Sequence, residues 1–334
     1  MAVVTFGSNI LGPSCALTWV ALSVLITLTN KHVLITFPFP ITLTTLHLVM
    51  TSAVARLLAY TQTISLSSQT YPTGPPFYSG RIVLVGLFFG LNLILNNISY
   101  MYLSVTFIQM FKAISPIVVI AVGWLVGVYQ FQPRTLVVTC IICLGVILSS
   151  YGEVAVSYLG ILIQVAAIAS EAIRLVQIEV LLSPYGLNAN PFTSLFLLTP
   201  LAALLCFFFA IVIELPTISI DALLSTSWLA LLGSAVLAVL LNISAVFVIA
   251  NVSALTLSIC GIPRAMLTMS ISSYLWNDQL SPLQMAGFLI SSVGLICYSA
   301  LKVRLQRLSE SDHSKQPSSH QYSSTESISR TEEV

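Results

Sequence analysis

Long apolar runs separated by short polar breaks recur along this chain from about residue 15 to residue 302. The hydrocarbon core of a bilayer takes about 20 apolar residues as helix. On that measure the pattern predicts helical spans at 15–36, 41–60, 81–103, 104–128, 133–151, 156–183, 191–214, 222–250, 251–275 and 281–302. Two neighbouring pairs are joined almost without a loop. From Ile82 to Val128 the only full charge is Lys112, and as one helix that run would reach about 70 Å, roughly twice a membrane. It must fold back, near Leu103–Ser104, and the same reasoning puts a second fold near Asn251.

The two halves of the pattern resemble each other. Asn97-Ile98-Ser99 recurs 145 positions on as Asn242-Ile243-Ser244, and Val105-Thr106 and Pro116 recur after 147 as Val252-Ser253 and Pro263. Pro133 and Gly145 recur after 149 as Pro282 and Gly294, and Pro40 and Thr42 after 151 as Pro191 and Thr193. Five spans per half is an odd number, so the copies run in opposite senses through the membrane. The expected fold is therefore an all-α polytopic membrane protein with ten transmembrane helices in two inverted five-helix repeats, at 15–154 and 155–304. A cytosolic N-terminal tail (1–14) precedes them, and a disordered, Ser-rich cytosolic tail (305–334) follows. Inverted repeats mark secondary transporters whose site lies at mid-membrane where the halves meet. The Asn-x-Ser triplets at Asn97, Asn242 and Asn251 fall within or at the joins of spans, and are read as interhelical hydrogen-bonding groups.

Composition sharpens this. The chain is 57% hydrophobic and 7% charged, where about a quarter of a soluble domain is charged. A formal net charge of +1 gives no reason to expect a nucleic-acid partner. With the N-terminus cytosolic, Arg56, Arg81, Arg134, Lys302, Arg304 and Arg307 share the cytosolic side, while Glu153, Glu214, Asp221 and Asp278 fall opposite. That is the positive-inside arrangement, with both termini in the cytosol. All six cysteines lie in apolar segments, Cys140-x-x-Cys143 included, which argues for packing rather than disulfides, metal or redox work. His32 and His47 form no acid–base or metal constellation with other residues, so neither an enzyme nor a cofactor is expected.

The chemistry lies in the few charges inside spans. Lys112 sits about nine residues into its span, roughly 13 Å deep, with no acid on its own helix. A cation there costs several kcal/mol unless it faces a cavity or a partner, and such residues mark substrate paths. Arg264 lies near mid-depth on the repeat-related ninth span. Gln109, three residues before Lys112, shares its helix face. Asn92 lines the third span, and Tyr274 ends the ninth, where it stacks on a ligand or anchors at the interface. Lys31 either snorkels to the surface or faces the cavity; Arg174 either pairs with Glu171 at i,i+3 or does the same. A basic cavity implies an anionic, phosphate-bearing small molecule. The other partner is the lipid bilayer, and a homo-oligomer is among the open assembly states.

At these residues the chain resembles the triose-phosphate translocator and nucleotide-sugar transporter families of the drug/metabolite transporter superfamily. The matching stretches are Asn30-Lys31, FPFPITLTTLH (37–47), YLSVTFIQMFKAISP (102–116), RLVQIEVLL (174–182) with NPFTS (190–194), and SALTLSICGIPR (253–264). The resemblance implies ten helices, exchange of organic phosphates, and a phosphate held by Lys112 and Arg264. Plastid-type members tend to carry a Lys-Arg pair on the ninth helix, whereas Arg264 is followed by Ala265. Gly261-Ile262-Pro263-Arg264 is more similar to the Gly-Asn-x-Lys of nucleotide-sugar carriers. The leading expectation is thus an antiporter exchanging a nucleotide sugar for a nucleoside monophosphate across the Golgi or endoplasmic-reticulum membrane. A sugar-phosphate/phosphate exchanger and a metabolite exporter are the alternatives.

Overall fold

The structure, a computed structural model, describes residues 8–61, 80–129, 157–183, 191–218 and 227–276 and, with gaps, 137–148 and 281–301. Every regular element among them is helical. In the first half these are α1 (Ser8–Thr36), α2 (Pro40–Tyr60), α3 (Gly80–Ser99), α4 (Val105–Phe111) and α5 (Ser115–Leu125). In the second half they are α6 (Tyr158–Leu182), α7 (Pro191–Phe209), α8 (Trp228–Asn251) and α9 (Ala254–Trp276). Among the described residues seven helices are long and apolar enough to cross a membrane, and Ala254–Thr268 and Met285–Gly294 form shorter apolar helices. Leu17, Leu162, Leu204 and Leu229 are among many large apolar side chains left exposed, as lipid rather than water around the protein requires. The chain is a multi-pass integral membrane protein.

In the fifth expected span, positions 137, 138, 141, 142, 144, 145 and 148 are helical, and the rest of that span lies outside the described residues. Also outside them are Cys140, Cys143, Arg134, Glu153, Asp221, Asp278, Lys302, Arg304 and the C-terminal tail with Arg307.

Both nearly loopless joins turn on a serine cap. The chain leaves α3 at Ser99 and re-enters helix at Val105, where Ser104 Oγ accepts the Phe107 N–H at 3.1 Å. Between α8 and α9 only Val252 and Ser253 intervene, and Ser253 Oγ accepts the Thr256 N–H at 3.0 Å. Each hydroxyl satisfies one of the amides a helix start leaves without a partner.

The fourth expected span is not one uninterrupted helix. Pro116 has no N–H to give to the carbonyl of Lys112, four residues back. Ser115 N–H takes that carbonyl instead, and Lys112–Ile114 tightens into a 3₁₀ turn between α4 and α5. The one basic residue of the span thus sits at its backbone irregularity. α5 stops at Leu125, and Gly127 reverses the chain at φ +82°, a conformation a Cβ disfavours.

Packing crosses between the halves. α3 lies on α6 and α7, α1 on α8 and α9, and α2 on α7 and α8. Gly86 and Gly90 of α3, one turn apart, let α7 approach so closely that a Cβ on Gly86 would stand 2.6 Å from Leu201 Cβ. With little hydrophobic driving force between helices in lipid, such close backbone approach is what holds them together.

Two carboxylates tie helix ends. Glu214, carried on a π-turn (Ala210–Glu214) that extends α7, accepts the backbone N–H groups of Ile41 and Thr42 and the Thr42 hydroxyl, each at 2.7 Å. Pro40 opens α2, so Ile41 and Thr42 carry the first orphan amides, and the negative charge also suits the helix dipole. Glu179, near the end of α6, accepts the Ala254 N–H that opens α9 at 2.9 Å and the Tyr129 hydroxyl at 2.5 Å. The end of α6, the start of α9 and the end of the α5 region therefore lie at one level.

Candidate functional site

Arg264 is held at the meeting of α1, α4 and α9. Its Nη2 donates to Gln109 Oε1 at 3.1 Å and its Nη1 to Ser23 Oγ at 3.4 Å, while Nε is buried without a hydrogen-bond partner. Gln109 is itself buried, at 2% exposure, and its Nε2 donates to the Tyr100 hydroxyl at 3.3 Å. A chain Tyr100–Gln109–Arg264–Ser23 thus joins the α3–α4 turn to α9 and α1. Pro263 precedes the arginine and removes the amide that would bond to the Ile259 carbonyl, loosening α9 where the cation projects.

Lys112 follows Gln109 by one turn, half-buried at the head of the 3₁₀ turn. Among the described residues its ammonium makes neither a hydrogen bond nor an ion pair. Just below it Ser258 Oγ donates to Ser115 Oγ at 3.3 Å, so α9 and the start of α5 touch through buried hydroxyls. On α9 one turn beyond Arg264, the buried Thr268 hydroxyl has no partner. Two cations and an unpartnered hydroxyl on adjoining helices, with no carboxylate among their contacts in the described residues, suit an anion rather than a metal ion.

The remaining expected residues are distributed elsewhere. Asn92 is buried on the α3–α6 seam, where its Nδ2 donates to the Ala167 carbonyl at 3.0 Å. Lys31 lies half-buried near the C-terminal end of α1. Tyr274 is 86% exposed at the end of α9. Arg174 does not bond to Glu171; its guanidinium lies over the Phe89 ring, 4.6 Å from the centroid. Of the three sequon asparagines, Asn97 reaches Thr44 Oγ1 at 3.1 Å and Asn242 reaches Thr51 Oγ1 at 3.4 Å, both across helices. Asn251 bonds within α8, to the Phe247 carbonyl, and is exposed at the helix end.

Sequence reasoning missed Ser23, Thr268 and the linking role of Gln109. Serines and threonines are common in membrane helices, and only the fold selects these. Glu214 was legible as a charge at a span end, but neither it nor Glu179 was legible as a helix cap, since their partners lie 173 and 75 residues away.

Comparison with known proteins bears on what this site handles. The sequence pattern of the Triose-phosphate Transporter family matches residues 12–299. A probable sugar phosphate/phosphate translocator of Arabidopsis thaliana is 32% identical over 305 residues, covering 89% of this chain and 85% of the plant protein. A second probable sugar phosphate/phosphate translocator of the same plant is 31% identical over 306 residues, covering 89% and 86%. A crystal structure at 15% identity superposes with a TM-score of 0.59 over 90% of this chain and 99% of its own, and so shares the fold. On the extent of these matches, the chain belongs to the triose-phosphate transporter family.

Proposed function

We propose that this protein exchanges a sugar phosphate for inorganic phosphate across its membrane, with Arg264 and Lys112 holding the phosphate group. The observation that carries the reading is the Arg264–Gln109 contact one turn from Lys112, which has no ion-pair partner among the described residues. A guanidinium offers a planar fork of donors to phosphate oxygens, and an ammonium adds a compact point charge. Gln109 and Ser23 orient the fork and leave Nε for the ligand. The names of the plant relatives favour sugar phosphate over the nucleotide sugar that led the reading of the sequence.

The same charges account for exchange rather than leak. Closing an empty cavity around two cations that have no counter-ion among the described residues would desolvate both charges, at several kcal/mol per ion. A bound phosphate dianion neutralises them and lets the halves rock past the site. The crossed packing supports an inverted-repeat reading of the ten expected helices: α1 lies on α8 and α9, as α6 lies on α3 and α5. Equivalent glycines add to it. A Cβ on Gly145 would strike Ser291 of the last helix, and one on Gly294 would crowd Ile142. Cytosolic termini and the endomembrane location implied by the resemblance complete the proposal.

The test is counterflow in proteoliposomes preloaded with inorganic phosphate or with a nucleoside monophosphate. Uptake of labelled triose or hexose phosphate driven by internal phosphate supports the reading. Uptake of nucleotide sugars driven only by a nucleoside monophosphate overturns it.

A further inference from the structure

We propose that Asn30 and Thr268 form a subsite for the hydroxylated carbon chain of a phosphate ester, next to the phosphate position at Arg264. The two residues sit on α1 and α9, one from each half of the chain, and a central transporter site lies where such halves meet. These helices run side by side in the same direction. A Cβ on Gly12 would meet the Val252 side chain at 3.0 Å near their starts, and further along Ser23 Oγ accepts from Arg264 Nη1 at 3.4 Å. Thr27 and Asn30 follow Ser23 at helical spacing and share its face, while Thr268 follows Arg264 by one turn. Thr268 therefore lies about 6 Å beyond Arg264, and Asn30 about 10 Å beyond Ser23, both away from the Glu179–Ala254 end.

Both side chains are short of partners. The Thr268 hydroxyl and the Asn30 Oδ1 are buried and have no hydrogen-bond partner among the described residues. For the threonine this departs from the habit of the molecule. Thr45, Thr51 and Thr199, also buried in helices, each donate to the carbonyl four residues back. A stranded buried donor or acceptor is costly, and a ligand that fills both removes that cost. A hydroxyl donates and accepts, and an amide oxygen accepts, so the pair matches the hydroxyls of a neutral polyol. Neither carries the charge that a second phosphate would call for. Inorganic phosphate seated on the Arg264 fork leaves both unfilled, whereas a carbon chain extending a helix turn beyond the phosphate reaches them. The inference rests on the phosphate position at Arg264, and it names the part of the substrate that separates a sugar phosphate from its counter-substrate.

The test is displacement of labelled inorganic phosphate from the purified full-length protein in detergent, with glycerol 3-phosphate, glucose 6-phosphate and methyl phosphate as competitors. Thr268→Val keeps the shape and removes the hydroxyl. It should weaken the two hydroxylated esters roughly tenfold more than methyl phosphate, and Asn30→Leu should do the same. Thr268→Ser, which keeps the hydroxyl, should retain the wild-type preference. Because the readout is a ratio among competitors on one preparation, partial unfolding does not mimic it. Equal weakening of all three competitors in either variant, or no weakening, would overturn the proposal, as would a wild type from which none of them displaces phosphate. If the ratios shift while phosphate-driven counterflow fails, the exchange reading falls and the subsite stands. If counterflow runs and the ratios hold, the subsite falls and the exchange reading stands.

Discussion

Gln109 Oε1 accepts a hydrogen bond from Arg264 Nη2 at 3.1 Å, across 155 positions of sequence. The contact joins the two helices on which the sequence places its deepest cations, and it fixes the direction in which Arg264 presents its remaining donors. Gln109 therefore acts on the ligand through the arginine rather than as one more lining group.

Replacing Gln109 with leucine removes that acceptor and leaves a guanidinium nitrogen unpaired. A hydrogen bond to a charged group is worth about 1.5–3 kcal/mol, and 1.4 kcal/mol is tenfold in affinity. The KM for inorganic phosphate should rise by roughly 10- to 100-fold. Initial-rate exchange in proteoliposomes measures it, with Gln109→Glu expected to restore Arg264 orientation but repel the anion.

Glu214 should matter for stability more than for transport. Glu214→Ala strands two amides at the start of α2 and a hydroxyl, at a cost of about 2 kcal/mol or more. Thermal unfolding in detergent should show a lowered Tm, partly recovered in Glu214→Gln, which keeps one acceptor oxygen.

Tyr129 clamps the opposite junction through Glu179. Tyr129→Phe removes a bond worth about 1 kcal/mol while keeping the ring. The expected outcome is a rise in phosphate efflux without external counter-substrate, because that face opens more easily when the site is empty. Efflux from preloaded vesicles into substrate-free buffer checks it.

Gly86→Ala places a Cβ 2.6 Å from Leu201 Cβ. Overpacking of this kind costs about 1–3 kcal/mol, read as a fall in Tm. Leu201→Ala in the same chain should recover part of it, which a double-mutant cycle would quantify.

Much of this was written in the sequence, and for identifiable reasons. Hydrophobic length alone located most spans, and the charge-free run around Lys112 forced a turn that falls at Tyr100–Ser104. Lys112 and Arg264 stood out because unpaired charge in a membrane is costly wherever the helices pack. The break at Lys112 was also available, since Pro116 sits four residues on, but a hydropathy window averages over it. Contacts set by tertiary packing were not legible. Arg174 and Glu171 have the spacing of an intrahelical pair, yet the guanidinium turns to Phe89 on a helix that sequence spacing cannot place. Asn92 resembles a ligand-facing amide until the Ala167 carbonyl opposite is known.

The most direct test of the account is phosphate–phosphate exchange in proteoliposomes carrying Arg264→Gln or Lys112→Gln beside the wild type. Each variant should keep a wild-type Tm, yet exchange in each should fall by more than 100-fold, on the scale of about 3 kcal/mol for a lost charged contact. Undiminished exchange in both well-folded variants would contradict the placement of phosphate at this site.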